Sequence, residues 1–263
     1  MQLSPSDCVD EVKSYFREVI MKFKTLSIFL IVGAVLLGAC SISVVQGSGH
    51  IITENREVSG FHAVKLSALG NLNITQGTAE SLTVQADDNL MKMIRTEVVN
   101  GVLEISFDHN VWTTYYMSGE SIKFDLTVVN LDSISFAGAG RITVEDLNVS
   151  DLATSLTGAG SMALENLTAD RLSIQLSGAG SLTADGEVNS QDITLSGVGS
   201  YQAADLQSSD ASITLSGVGS ATVWVTDNLD VKVSGAGSVG YYGEPVVTKN
   251  ITGLGSLVNK GTK

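Results

Sequence analysis

Seven copies of a Gly-x-Gly core (AGAGRI, TGAGSM, SGAGSL, SGVGSY, SGVGSA, SGAGSV, TGLGSL) begin at Gly138, Gly158, Gly178, Gly197, Gly217, Gly235 and Gly253. Their second glycines are Gly140, Gly160, Gly180, Gly199, Gly219, Gly237 and Gly255. The intervals are 20, 20, 19, 20, 18 and 18 residues, so the fold must supply one equivalent unit every 18–20 residues. A lone Gly-x-Gly suits a phosphate-cradling loop, but such a loop needs a helix N-terminus behind it, and a Walker loop needs Gly-Lys-Ser/Thr. Here strand-forming residues follow every copy, and neither nucleotide nor cofactor binding is expected.

The flanking columns repeat as well. Two residues before each first glycine stand Phe136, Leu156, Leu176, Leu195, Leu215, Val233 and Ile251, and two before those Ile134, Thr154, Ile174, Ile193, Ile213, Val231 and Lys249. Four residues after it come Ile142, Met162, Leu182, Tyr201, Ala221, Val239 and Leu257. Alternation with period two means strands with one buried face, and like-on-like columns favour stacked parallel coils over a sandwich of hairpins. The expected fold is therefore an all-β, right-handed parallel β-helix, two or three strands per coil, about 34 Å long if seven coils stack 4.8 Å apart.

Hydroxyls flank the glycines, Thr157, Ser177, Ser196, Ser216, Ser234 and Thr252 on one side and Ser161, Ser181, Ser200, Ser220, Ser238 and Ser256 on the other. If the strand runs straight through, these residues and the middle residue, Ala139 through Leu254, face outward and the glycines point inward, letting the opposite wall approach. If the chain bends there, the middle residue points into the core, because a bend breaks parity. Both arrangements fit the sequence.

Before the repeat, LSALGNLNI at Leu66–Ile74 reads as a degenerate opening coil. Asn100-Gly101 between two β-rich runs signals a hairpin. Ile122, Phe124, Leu126 and Val128 alternate as a strand, and DDNLMKMI reads as a short helix capped by Asp88. This β-rich part either caps the solenoid or continues it as a small sandwich.

Lys22 and Lys24 precede the apolar run TLSIFLIVGAVLLGA, which ends in Leu37-Gly38-Ala39-Cys40. A charged start, a short apolar core and small residues before a cysteine resemble a bacterial lipoprotein signal, cleaved between Ala39 and Cys40 with lipid added to the Cys40 thiol. Residues 1–20 then read as an upstream extension, with Met21 as the start. Without residues 1–39 the net charge stays at −13, four acids and four bases having been removed. So acidic a chain repels nucleic acid and anionic membrane surfaces, so the expected membrane partner is reached through the lipid at Cys40. Ser41 after the cysteine favours outer-membrane sorting.

Catalytic signatures are sparse. The basic residues of the repeats, Arg141, Arg171, Lys232 and Lys249, share no column; His50, His62 and His109 precede the repeats; and no Gly-x-Ser-x-Gly elbow occurs. Acids at coil corners, Asp146, Asp185, Asp205, Asp227 and Asp230, read as solvated turn residues, and no metal site is assigned. Trp112, Tyr115 and Tyr116 are the candidates for surface contact, within a wider aromatic set of Tyr201, Trp224, Tyr241 and Tyr242 that could form a carbohydrate platform; the stronger expectation is that they cover a solenoid end or fill its core.

Phe61 to Val64, NITQG, VQADDNLM, NGVLEI and the chain of SGAGS units together resemble the head GIN domain, the "putative autotransporter adhesin" family, over roughly residues 57–258. The resemblance implies a right-handed β-helix, often behind a lipoprotein signal, and an adhesin-like role. Nothing after Gly255 is long enough for a membrane barrel. The organisation expected is thus signal at 21–39, lipidated linker at 40–56, β-rich part at 57–133, solenoid at 134–258 and tail at 259–263. The function expected is a non-enzymatic, lipid-anchored adhesin or scaffold of the bacterial envelope, contacting a surface glycan or an envelope protein, with a carbohydrate-binding or carbohydrate-active β-helix as the alternative and a polymer- or ice-binding serine face as a third.

Overall fold

The computed structural model describes residues 43–108, 113–116 and 122–263. Ala39, Cys40, His109 and Trp112 lie outside them, as do the side chains of Tyr115 and Tyr116. Strands β1 (Ser43–Gln46) and β8 (Thr113–Tyr116) pair in a two-stranded sheet of their own. The rest of the first half comprises β2 (Ile51–Arg56), β3 (Ala63–Leu66), β4 (Leu69–Gln76), β5 (Ser81–Asp87), α1 (Asp88–Met91), β6 (Ile94–Val99), β7 (Val102–Phe107) and β9 (Lys123–Val128). The second half runs through β10 (Ser133–Phe136), β11 (Ala139–Glu145), β12 (Asn148–Leu156), β13 (Ala159–Leu176), β14 (Ala179–Leu195), β15 (Val198–Leu215), β16 (Val218–Val233), β17 (Ala236–Tyr242), β18 (Val246–Ile251) and β19 (Leu254–Asn259).

From β10 onward every pairing is parallel and joins one coil to the next, a β-solenoid of about six turns. Its coil has three sides, legible in the burial of β13. Met162 and Leu164 point inward on the first side, Leu167 and Ala169 on the second, and Leu172, Ile174 and Leu176 on the third. Two exposed residues, Glu165-Asn166 and then Asp170-Arg171, break parity between sides and make the corners. Each fully buried aliphatic side chain contributes about 1.5–3 kcal/mol. The core is the stack of these columns.

At the third junction, parity runs straight through the glycines. Leu176 is buried, Ser177 exposed, Ala179 exposed and Leu182 buried, and Val198 and Val218 keep 61% and 56% of their surface exposed. The middle residue therefore faces solvent. The glycines do not serve the approach of the opposite wall. A Cβ built on Gly158, Gly178, Gly197, Gly217, Gly235 or Gly253 would lie inside 3.0 Å of the carbonyl oxygen of the equivalent glycine one coil earlier. The second glycines from Gly160 to Gly237 meet the same obstacle. Glycine is required by stacking along the axis, a close approach of backbone to backbone.

Differences in repeat length are absorbed elsewhere. Three register slips, between Leu164 and Leu167, Thr183 and Asp185, and Ala203 and Gln207, fall around the corner between the first and second sides, and a fourth, between Ser208 and Asp210, falls at the next corner, whereas Gly160, Gly180, Gly199, Gly219 and Gly237 stay in register.

The stack begins before the repeats. β3 pairs in parallel with β10 and β4 with β11, Leu69 opposite Ala139 and Gly70 opposite Gly140, so LSALGNLNI is the opening coil. Beyond it lies a further coil made by later residues, with β7 beside β3 and β9 beside β4. Antiparallel strands then close that end. β5 joins β9, β2 joins β5 and β6 joins β7, so the first half is a cap rather than a sandwich. Asn100 (φ 51°) and Gly101 (φ 79°) form the expected tight hairpin turn between β6 and β7. Helix α1 is a single turn whose cap position is Asp87, not Asp88. The Asp87 carboxylate accepts from the Gly49 N–H at 2.6 Å, while Asp88 accepts from the Ser48 hydroxyl at 2.5 Å, which holds its pKa below the usual carboxylate value.

Candidate functional site

The second side of the coil appears only where the repeats begin. Its first rung, Asn148–Asp151, is pinned to the opening coil by Gln76, whose amide donates to the Asn148 carbonyl at 3.2 Å and whose oxygen accepts from the Asn148 N–H at 2.9 Å. Because the earlier coils lack this side, a step is left at its edge. The step is a groove of about 920 Å³ with Asn148–Asp151, Thr168–Asp170 and Glu187–Asn189 as successive rungs and His62, Asn130 and Asp132 as the wall.

His62 is fixed from three directions. Its N–H donates to the Gly101 carbonyl at 2.9 Å, its own carbonyl accepts from Asp132 N–H at 2.7 Å, and its Nδ1 lies 3.1 Å from Asp132 Oδ2. Its Nε2 occupies the space that a side chain at position 101 would need, so Gly101 serves both turn and wall. Along the rungs, Asp151 faces Arg171 at 3.7 Å and Asp170 accepts from the Asn189 amide at 3.3 Å. Asp151, Asp170 and Glu187 thus stand on successive rungs, the first two with different partners. Among the described residues, no three His, Cys, Asp or Glu side chains converge as a metal site. Such a groove can hydrogen-bond a ligand at many points.

The corner acids do not form a set. Asp146 and Asp185 are bridged by Asn166, whose amide donates to Asp146 at 2.6 Å and whose N–H donates to Asp185 at 2.8 Å. Asp205 pairs with Lys263, and Asp230 with Lys232 on another side. Tyr201 is no part of a surface platform. It is fully buried in the inward column between Leu182 and Ala221, its hydroxyl donates to Gln191 Oε1 at 2.6 Å, and Gln191 donates to Ser208 Oγ at 2.9 Å. Burial pushes its phenol pKa well above the ordinary tyrosine value. The groove itself was missed in the sequence. His62 gave no signal there beyond standing in the Phe61–Val64 stretch, because its neighbours Asp132 and Gly101 are distant in the chain.

The sequence matches the family model "Putative auto-transporter adhesin, head GIN domain" over residues 60–245. The chain belongs to this family. A putative adhesin from Bacteroides fragilis is similar to it at 27% identity, with 82% of this chain and 99% of that one covered and a TM-score of 0.77. A putative lipid binding protein from Parabacteroides distasonis (22% identity, 82% and 99% covered, TM-score 0.67) and a putative adhesin from Parabacteroides merdae (21%, 82% and 99%, 0.61) share the fold. No curated protein matches the sequence.

Proposed function

We propose that this head GIN chain is a non-enzymatic, lipid-anchored envelope protein that holds its partner along the polar second side of the solenoid. The observation that carries the reading is one groove lined by polar side chains on successive rungs, Asp151, Asp170 and Glu187, with Asp132 on its wall. Many modest contacts on a stiff surface provide affinity through their number, with no reacting centre. Membership of an adhesin family supports the same role, and the Leu37–Cys40 sequence supports the anchor. The amide and carboxylate lining also supports a carbohydrate ligand as the second reading.

The test is capture from intact envelopes by the purified wild type and by Asp151→Ala/Asp170→Ala/Glu187→Ala. Retention by the wild type and loss in the variant is the expected result; equal retention places the partner elsewhere and overturns the proposal. Turnover of acidic or neutral glycans by the wild type would show an enzyme instead. Radiolabelled palmitate should enter the wild type and not Cys40→Ala, and labelling of both removes the anchor at Cys40.

A further inference from the structure

At the other end of the second side, Trp224 and Tyr242 stand opposite each other in adjacent coils. Parallel stacking places them one rung apart, about 4.8 Å. The segment after β19 runs on beside Tyr241–Gly243: Lys260 N–H donates to the Tyr241 carbonyl at 2.8 Å, and Gly243 N–H donates to the Gly261 carbonyl at 3.0 Å. Two residues further on, the Lys263 ammonium lies 5.5 Å from the Trp224 ring centre and 5.4 Å from that of Tyr242, in an ion pair with Asp205. The Lys260 ammonium lies 5.9 Å from the Tyr242 ring.

Two ring faces and a carboxylate around one cation make the arrangement by which proteins recognise organic ammonium groups. A primary ammonium suits it incompletely, since it carries three N–H donors and the cage presents one carboxylate, itself 76% exposed. An N-methylated ammonium has no donors to satisfy and presents apolar methyls to the rings. We propose that Trp224, Tyr242 and Asp205 form a binding site for a trimethylammonium group, with Lys263 as its built-in competitor. The competitor is tethered by a few residues and held by two backbone hydrogen bonds, so it acts at an effective concentration in the millimolar range and weakens, without abolishing, entry of an external cation. Trimethylammonium groups come either as free small cations or as lipid headgroups.

The experiment titrates tetramethylammonium and choline into the full chain, wild type and Lys263→Ala, each carrying Trp112→Phe so that Trp224 alone reports by fluorescence. Lys263→Ala should bind saturably, roughly tenfold tighter than wild type, and adding Trp224→Ala, followed by NMR of Tyr242, should remove the binding. Sodium chloride at equal ionic strength should not reproduce the change. If Lys263→Ala disturbs folding, the wild type decides: its Lys263 side-chain resonances should move away from their ring-shifted positions as tetramethylammonium is added. Sedimentation of Lys263→Ala with phosphatidylcholine but not phosphatidylglycerol vesicles assigns the group to a headgroup; choline binding without sedimentation assigns it to a free cation. No saturable response at about 100 mM cation in a folded variant, together with unmoved Lys263 resonances, overturns the site.

Discussion

Replacing Gly197 with alanine tests what the glycine ladder is for. The added Cβ would overlap the Gly178 carbonyl oxygen and sit close to the Ser177 carbonyl. Both belong to the backbone of the previous coil, so no side chain can rotate away. The Gly178 oxygen also accepts the Val198 N–H at 3.0 Å, and displacing it lengthens that bond. Overpacking of this kind costs about 1–3 kcal/mol, and the weakened hydrogen bond about 0.5–1.5 kcal/mol. The stiffer unfolded chain offsets about 0.4–1 kcal/mol. The net is a loss of about 2 kcal/mol, or roughly 4–8 °C in melting temperature for a chain of this size. Val198→Ala, one residue on and with a side chain 61% exposed, should stay within about 0.5 kcal/mol of wild type. Thermal melts followed by circular dichroism compare the two. Equal melting temperatures for Gly197→Ala and wild type, or an equal loss in Val198→Ala, would refute the stacking argument.

Tyr201→Phe leaves Gln191 Oε1 buried without its donor and should cost about 1–3 kcal/mol, while Tyr201→Phe/Gln191→Leu should cost less than the two single changes summed, as urea titrations would measure. Because the folded phenol's pKa is raised, the stability this group contributes is fully present below the unfolded value of about 10 and is lost as pH rises above it, so alkaline titration at 295 nm should show Tyr201 ionising only with unfolding. Asp88 has the opposite sign: its lowered pKa gives a contribution present above the unfolded value of 3.8 and lost as pH falls through the folded one, and Ser48→Ala should return its NMR titration midpoint towards 3.8. Lys249 stands, exposed, beside Val231 on the last described rung of an otherwise mostly apolar column, a charge of the kind that blunts sheet edges. Lys249→Ile should therefore self-associate in sedimentation velocity at concentrations where wild type does not.

The repeat columns were legible because identical residues recur at fixed offsets, and each offset maps to one inward or outward position. Tyr201 shows the strength of that signal. It stands in the column of Leu182 and Ala221, which already places it inside, and the small Ala221 next to it leaves the room its ring needs. The second side was not legible. It is only a few residues wide, it carries few inward positions per coil, and the register slips concentrate at its near corner, which blurs its column. The groove depends on that side being absent from the earliest coils, an edge effect with no local pattern. Asp88 was misplaced by one residue because consecutive aspartates, Asp87 and Asp88, both suit a cap.

The order of coils along the axis is not their order along the chain. Ala63–Leu66 lies between Val102–Ile105 on one side and Ser133–Phe136 on the other. During synthesis the earliest rung consequently waits for residues some forty to seventy positions downstream, and long loops must close before it is paired on both edges. From Ala139 onward, by contrast, each coil can settle on its finished predecessor. The barrier to folding therefore belongs in the first half of the chain. A nascent fragment ending before Ser133 would carry an open edge on its oldest strand, a template for pairing with another chain.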